Sequence, residues 1–238
     1  ELVLAYQTIK NNVDGVVRQL SDLEKEYLSK EREQRKDFFY ELRDTFNRNL
    51  SGIDFDNFSD AWVERTMQTI FLNRTCFNGL FRVNSKGEFN VPSGDYVNPR
   101  ICYEENLRAV SELLQNTDIR RGDFTESRNF IDSNTFVYFD PPYRPLNKTS
   151  SFTSYSKFEF TDEEQLQLAT FFKKMDGKGA KLLLSNSDPK NENSEDNFFE
   201  DAYESYQIYR VKANRAINSK GDKRGKINEL IIPNYRVE

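Results

Sequence analysis

Histidine is missing altogether from these 238 residues, and cysteine, methionine and tryptophan are scarce, at two, two and one. Without imidazole, the usual general base near neutral pH, Ser/His and Cys/His nucleophilic systems and His-dependent metal sites are all excluded. Cys76 and Cys102 are too few for a disulfide framework and lack zinc-ligand spacing, so no metal site is expected and a reducing, cytoplasmic setting is the default. No apolar run approaches the roughly 18 residues of a membrane span, and no signal-like segment opens the chain, so no membrane partner is expected. An initiator methionine is absent too: the chain starts at Glu1 inside an amphipathic pattern, which reads as part of a longer protein. Any chemistry must therefore run on carboxylates, amides, hydroxyls and aromatic rings.

Aromatic residues are plentiful, with 20 Phe and 12 Tyr supplying core formers despite 31% charged residues. That composition predicts a globular chain with one large core or two modest domains. A net charge of −5 does not announce a nucleic-acid binder. Its distribution says more: residues 210–226 hold seven Lys or Arg against the single acid Asp222, either a solvated loop or a run that faces phosphate.

Leu2, Tyr6, Ile9, Val13, Val16, Leu20, Leu23 and Tyr27 alternate steps of four and three, which predicts a helix, split near Asn11, Asn12 and Gly15 with Asp14 as a cap. Phe38, Phe39, Leu42 and Phe46 mark a second helix; Trp62, Thr66, Ile70 and Leu72, after Ser59, mark a third. From residue 74 to 96, Asn, Gly, Ser and Pro punctuate short aromatic runs, predicting loops and a hairpin turning at 85–87. A helix at 103–116 and a strand over 118–124, ending in Asp123 and Phe124, come next. Thr161 and Glu164 form a capping box for a helix whose apolar side is Leu166, Leu168 and Phe172 and whose stop is Gly177. KLLLSNS, 181–187, reads as a buried strand. A short helix at 198–203 and a final antiparallel pair, joined by the basic loop, complete the chain. Strand and helix alternate in the second half, the pattern of a parallel α/β sheet.

One stretch carries an unusual demand. In TFVYFDPPYRPL, residues 135–146, Phe136, Val137, Tyr138 and Phe139 form a short aromatic and β-branched run of the kind buried on both faces of a sheet. Pro141 and Pro142 have no N–H and a fixed φ, so they end the ladder and stiffen the residues before them. Asp140 and Tyr143 are then held in a rigid turn at the carboxyl end of a strand, where open α/β sheets place their ligands. A proline-rich turn with a merely solvated acid is the other reading.

DPPY at 140–143, RTCFNGLFRVNSKGEFNVPSGDY at 74–96, GDF at 122–124, FTSYS at 152–156 and NELIIPNY at 228–235 together resemble the Dam-type (D12 class) DNA adenine N6-methyltransferases, in the same order and spacing. The resemblance spans nearly the whole chain. It implies a Rossmann-like methyltransferase sheet of α/β class with a mostly helical DNA-recognition insertion. Residues 1–30 would be a helical remnant of the cofactor side, 31–116 the target-recognition insertion and 117–238 the core that carries DPPY. It also places a glycine-rich loop, a basic segment and a ribose-holding acid upstream of residue 1, so the sheet is expected to be incomplete here and donor binding by this chain alone to be weak.

The same resemblance implies S-adenosylmethionine as methyl donor and, as acceptor, an adenine flipped out of double-stranded DNA, in many members within GATC. An adenine amino group is a poor nucleophile because its lone pair is delocalised into the ring. Asp140 and the Pro141 carbonyl would accept its two N–H groups and free that pair. Pro142 keeps the turn rigid, and Tyr143 would stack on the base, worth on the order of 1–3 kcal/mol against the few kcal/mol that flipping costs. Asp123 and Phe124, together with Asp140, would line the donor site. Phe77, Asn78, Leu80, Arg82 and Pro92 match the DNA-reading positions, and the Arg82 fork suits a guanine edge. Phe stands at 77 where several relatives have Tyr. A bacterial or phage-like cytoplasmic setting, a monomer and a companion restriction endonuclease complete the expectations. Two other readings stay open: a DNA-binding or regulatory module of the same family, and a methyltransferase for another planar amide, although such enzymes generally carry NPPY.

Overall fold

The four-and-three spacing at the start of the chain does build an amphipathic helix, α1 (Leu2–Ser29), in the computed structural model, which describes residues 1–145, 160–214 and 226–237. The split is there as well: Asn12 leaves helical geometry at φ −149° and ψ 54°, and its side-chain oxygen accepts the Gly15 amide at 3.0 Å. Asn12, not Asp14, is therefore the cap of the second half, because a short amide side chain reaches the amide three residues on once its own backbone leaves the helix. Asp14 pairs instead with Arg108 at 2.7 Å.

α2 (Arg32–Arg48), α3 (Asp60–Thr75) and α4 (Glu104–Leu114) belong with α1 to a compact unit, Glu1–Arg121. Val16, Leu20, Tyr27, Phe39, Phe46, Phe71 and Leu72 form its core, with Tyr27 set edge-on to Phe71 at 5.3 Å. Arg65 is only 2% exposed, yet its charge is not orphaned. It pairs with Glu1 at 2.6 Å, donates to the Phe46 carbonyl and lies 3.3 Å over the Phe46 ring.

The second unit, Gly122–Glu238, holds β1 (Phe136–Phe139), α5 (Asp162–Asp176), β2 (Lys181–Ser187), α6 (Phe198–Ala202), β3 (Tyr209–Asn214) and β4 (Lys226–Pro233). The sheet is mixed. β1 and β2 are parallel, β4 is antiparallel to both β2 and β3, and the order across the sheet is β1–β2–β4–β3. One face carries Phe139, Leu182, Leu184, Leu230 and Ile232 against Leu168, Phe172 and Met175 of α5 and Phe199 of α6.

Two strand expectations need correction. β1 is not buried on both faces: Phe139 is 8% exposed, but Phe136 and Tyr138 are 56% and 52% exposed. It is an edge strand, paired on one side only among the described residues, and only its Val137 and Phe139 side meets the core. Nor does a strand form over 118–124. Asp123 instead caps a 3-10 helix, Phe124–Asn129, its carboxylate accepting the Thr125 amide at 2.9 Å while Glu126 accepts the Asp123 amide at 3.2 Å. That reciprocal box starts a helical turn locally, and no described strand lies alongside to offer a ladder.

α5 follows the sequence closely. Thr161 accepts the Glu163 amide at 3.3 Å and donates its own amide to Glu164 at 2.8 Å, although Leu166, assigned to the apolar side, is 49% exposed. Thr161→Ala should lower stability by about 1 kcal/mol, read as a lower denaturant midpoint at unchanged slope.

Candidate active site

β1 ends where Asp140 and the two prolines begin, and no ladder bond crosses them. The Asp140 carboxylate is exposed and forms no ion pair among the described residues; one oxygen accepts the Ser185 hydroxyl at 3.1 Å. Ser185 lies on β2, is 2% exposed, and also meets the Tyr138 hydroxyl at 2.9 Å and the Tyr143 hydroxyl. Since the serine proton goes to Asp140, the Tyr138 phenol must donate to the serine oxygen, and both side chains are fixed around one atom. Burial pushes the Tyr143 hydroxyl up from its ordinary pKa; the Ser185 bond opposes this, and the carboxylates of Glu229 and Asp140 add to it. Tyr143 is therefore a neutral ring at physiological pH, half-buried beside an acid with one oxygen unpartnered among the described residues.

Arg144 anchors the far side of this turn. Its guanidinium pairs with Asp162 at the start of α5 at 2.7 Å and with Asp196 at 2.8 Å, and it lies 4.3 Å over the Phe198 ring. The Asp162 bond first, and then Asp196, hold it far above its ordinary pKa against the opposing effect of burial.

Asp123 and Phe124 lie in the same unit. The hydroxyl and amide of Thr125 hold the Asp123 carboxyl below the usual range, so it is an anion with open access to solvent. The half-buried Phe124 ring meets Phe171 edge-on at 5.5 Å, and Phe171 meets Phe139 at 6.2 Å. One α5 ring thus connects the residue next to Asp123 with the residue next to Asp140.

In the first unit, residues 76–94 fold back on themselves. Phe77 donates its amide to the Pro92 carbonyl at 2.9 Å, Gly94 donates to Thr75 at 2.8 Å, and Val83 bridges Phe89 across the expected turn. A Cβ on Gly94 would sit 2.9 Å from the Cys76 carbonyl oxygen, so only glycine permits this approach. Asn78 takes the left-handed conformation at φ 57°, a position where Asn is tolerated and most side chains are strained. Phe77 is 54% exposed beside it, and Pro92 is exposed too. Leu80 instead packs on the core, and Arg82 is half-buried with its Nε donating to Asn90 at 2.8 Å. FTSYS and residues 215–225 of the basic loop lie outside the described residues. Arg210 and Lys212, which precede that loop, are on β3, and Arg210 is spent on Asp188 at 2.9 Å and on Glu200.

Ser185, Tyr138 and Arg144 were not among the residues singled out from sequence. The available signal was the polar tail of KLLLSNS: hydroxyls and an amide at the end of an otherwise apolar buried strand need partners.

A mixed α/β sheet ending in a rigid acidic turn defines a class in which side chains on loops at strand ends hold the ligands. The family model for the D12 class N6 adenine-specific DNA methyltransferases matches residues 1–217, and the chain belongs to that family. It is 51% identical over 236 residues to the type II methyltransferase M.MjaIII of Methanocaldococcus jannaschii, covering 99% of this chain and 77% of that protein. It is 37% identical over 237 residues to the type II methyltransferase M1.LlaDCHI of Lactococcus lactis subsp. cremoris, covering 99% and 76%. To the DNA adenine methylase of Haemophilus influenzae it is 32% identical over 232 residues, covering 97% and 73%. Membership settles the reaction class as adenine-specific DNA methylation and sets aside the planar-amide reading. No helix among the described residues is long and apolar enough to cross a membrane.

Proposed function

We propose that this chain carries the methyl-transfer and DNA-reading residues of a site-specific enzyme that methylates N6 of an adenine flipped out of duplex DNA, with S-adenosylmethionine as donor. The observation that carries it is the state of Asp140: an exposed carboxylate with one oxygen fixed by Ser185 and the other without a partner among the described residues, on a turn that two prolines stiffen. The four-stranded sheet would be part of a Rossmann-like core, with the division at 1–30, 31–116 and 117–238 as its organisation.

The residues suit the donor. An exposed anion at Asp123 beside the half-buried edge of Phe124 offers an adenine ring both an acceptor for its amino group and an apolar surface. When bound, S-adenosylmethionine supplies an electrophilic methyl on a sulfonium. On the acceptor side, the second oxygen of Asp140 and the Pro141 carbonyl take the two N–H groups of the target adenine, which localises the lone pair on nitrogen. Tyr143 stacks on the ring and excludes water. Alignment alone allows up to roughly 7–11 kcal/mol in intramolecular reactions, and fixed acceptors add to it because they need no reorganisation. Incubation of the full-length protein with methyl-labelled donor and duplex DNA, followed by digestion to nucleosides, should give label in N6-methyldeoxyadenosine; label on cytosine, or none, would refute the reading.

The exposed corner of Phe77, Asn78 and Pro92, with Leu80 buttressing it from the core, is the reading surface in this proposal, and Arg82 reads a guanine. GATC is the first target to assay. Arg82→Ala should relax preference at one base pair by about 1–3 kcal/mol, measured as kcat/KM on singly substituted duplexes. An unchanged preference profile removes Arg82 from the readout set. A monomer and a companion restriction endonuclease belong to the same reading.

A further inference from the structure

Gln165 and Asn186 are among the least exposed polar side chains of the second unit, at 1% and 0%, and no step above uses them. They are joined to each other and to the turn. Asn186 Oδ1 accepts the backbone amides of Arg144 and Ser187, each at 2.9 Å. Asn186 Nδ2 donates to Gln165 Oε1 at 3.1 Å, and Gln165 Nε2 donates to the Pro142 carbonyl at 3.0 Å. Ser187 adds a hydroxyl donated to the Arg144 carbonyl at 2.6 Å.

The polarity of this chain is forced from its ends. Backbone N–H groups can only donate, so the atom of Asn186 that faces Arg144 and Ser187 must be oxygen. Its NH2 then points at Gln165, which must answer with its own oxygen, leaving its NH2 for the Pro142 carbonyl. Neither amide can flip without opposing like groups, and at this burial water does not replace a lost partner. The bonds bracket Tyr143, fixing the peptide on its amino side through Pro142 and on its carboxyl side through Arg144.

From this we infer that Gln165 and Asn186 are positioning residues for methyl transfer: a buried carboxamide pair, contributed by α5 and β2, that sets the angle at which Tyr143 and the neighbouring Asp140 meet the base. This rests on the reading of Asp140 and Tyr143 as the adenine-holding residues.

The full-length protein tests it. Gln165→Met keeps the length of the side chain and removes the bond to Pro142. Asn186→Asp keeps an acceptor for the Arg144 and Ser187 amides and, as the carboxylate those two amides favour, cannot donate to Gln165, whose amide must turn and present its oxygen to the Pro142 carbonyl. Both variants should slow single-turnover methylation, at saturating donor and duplex DNA and per folded molecule, by roughly 10- to 100-fold, with the dissociation constant for DNA unchanged. The double variant should lose no more than the worse single, because one chain is broken in both. A wild-type rate per folded molecule in either single variant, or losses that multiply in the double, overturns the inference. If Gln165→Met does not fold at the assay temperature, Asn186→Asp decides alone. Asp140→Ala run in parallel separates the two ideas: full activity there defeats the site assignment, whereas an inactive Asp140→Ala beside a fully active Gln165→Met defeats only the carboxamide pair.

Discussion

Asp140→Ala should leave a folded protein that binds DNA with near-normal affinity and transfers no measurable methyl. Among the described residues the carboxylate forms no ion pair, and it is exposed, so its loss opens no cavity and strands no buried charge; Ser185 keeps its contacts with Tyr138 and Tyr143. What disappears is the acceptor that localises the adenine lone pair. Removing one fixed hydrogen-bonding group from a comparable charge-developing site costs about 10²–10³ in rate, roughly 2.7–4 kcal/mol, and here the same substitution also removes a full negative charge. Asp140→Asn keeps one acceptor oxygen for which Ser185 and the substrate compete, and its rate should fall between the two. Single-turnover rates with labelled donor, set beside gel-shift affinities, give the answer. A parallel loss of affinity and rate would mean that Asp140 holds DNA rather than activating the amino group.

Phe172→Ala should produce the largest loss of stability. Phe172 is fully buried at the centre of the second core, its ring meeting Phe139 at 5.7 Å, Tyr203 at 5.5 Å and Tyr206 at 5.0 Å. Truncation removes the transfer energy of a phenyl group and leaves a hole that three rings around it cannot fill, a cost of about 3–5 kcal/mol. Phe172→Leu keeps most of the volume and should cost less than about 1.5 kcal/mol. Chemical denaturation resolves the difference as midpoints at constant slope, and the alanine variant should melt on the order of 10 °C or more below the parent. Because Phe139 immediately precedes Asp140, activity in the alanine variant should fall before global unfolding begins. Equal midpoints for the two variants would show that the ring is not the keystone its burial indicates.

The helices were legible because their signals are local: the period of apolar residues in α1 and α3, the breaker at Asn12 and the capping box of α5 all lie within one or two turns. The residues of the DPPY turn were legible for the same reason, since proline acts on its immediate neighbours. Burial of β1 was not, because whether Phe136 and Tyr138 are covered depends on which elements reach that face, and a run of aromatic residues carries no record of it. The stretch 118–124 forms no strand because the reciprocal box at Asp123 and Glu126 starts a helical turn, and that interaction is local. The antiparallel pairing of β3 with β4 was legible too, but the place of β4 beside β2 was not, since strand–helix alternation says nothing about where the last strands enter the sheet. Ser185, Asn186 and Gln165 could not be linked to Asp140 and Pro142 from sequence, because those contacts close across dozens of residues.

The place of β4 in the sheet has a consequence for biosynthesis. It occupies an inner position, between β2 and β3, although it follows both in the chain. A nascent polypeptide that has emerged only as far as β3 therefore has two strands it cannot join, and the serine that orients Asp140 sits on an unsupported margin. Completion of the sheet waits for translation to pass residue 233, so a product terminated short of it carries every DPPY residue without the pairing that holds β2 in place.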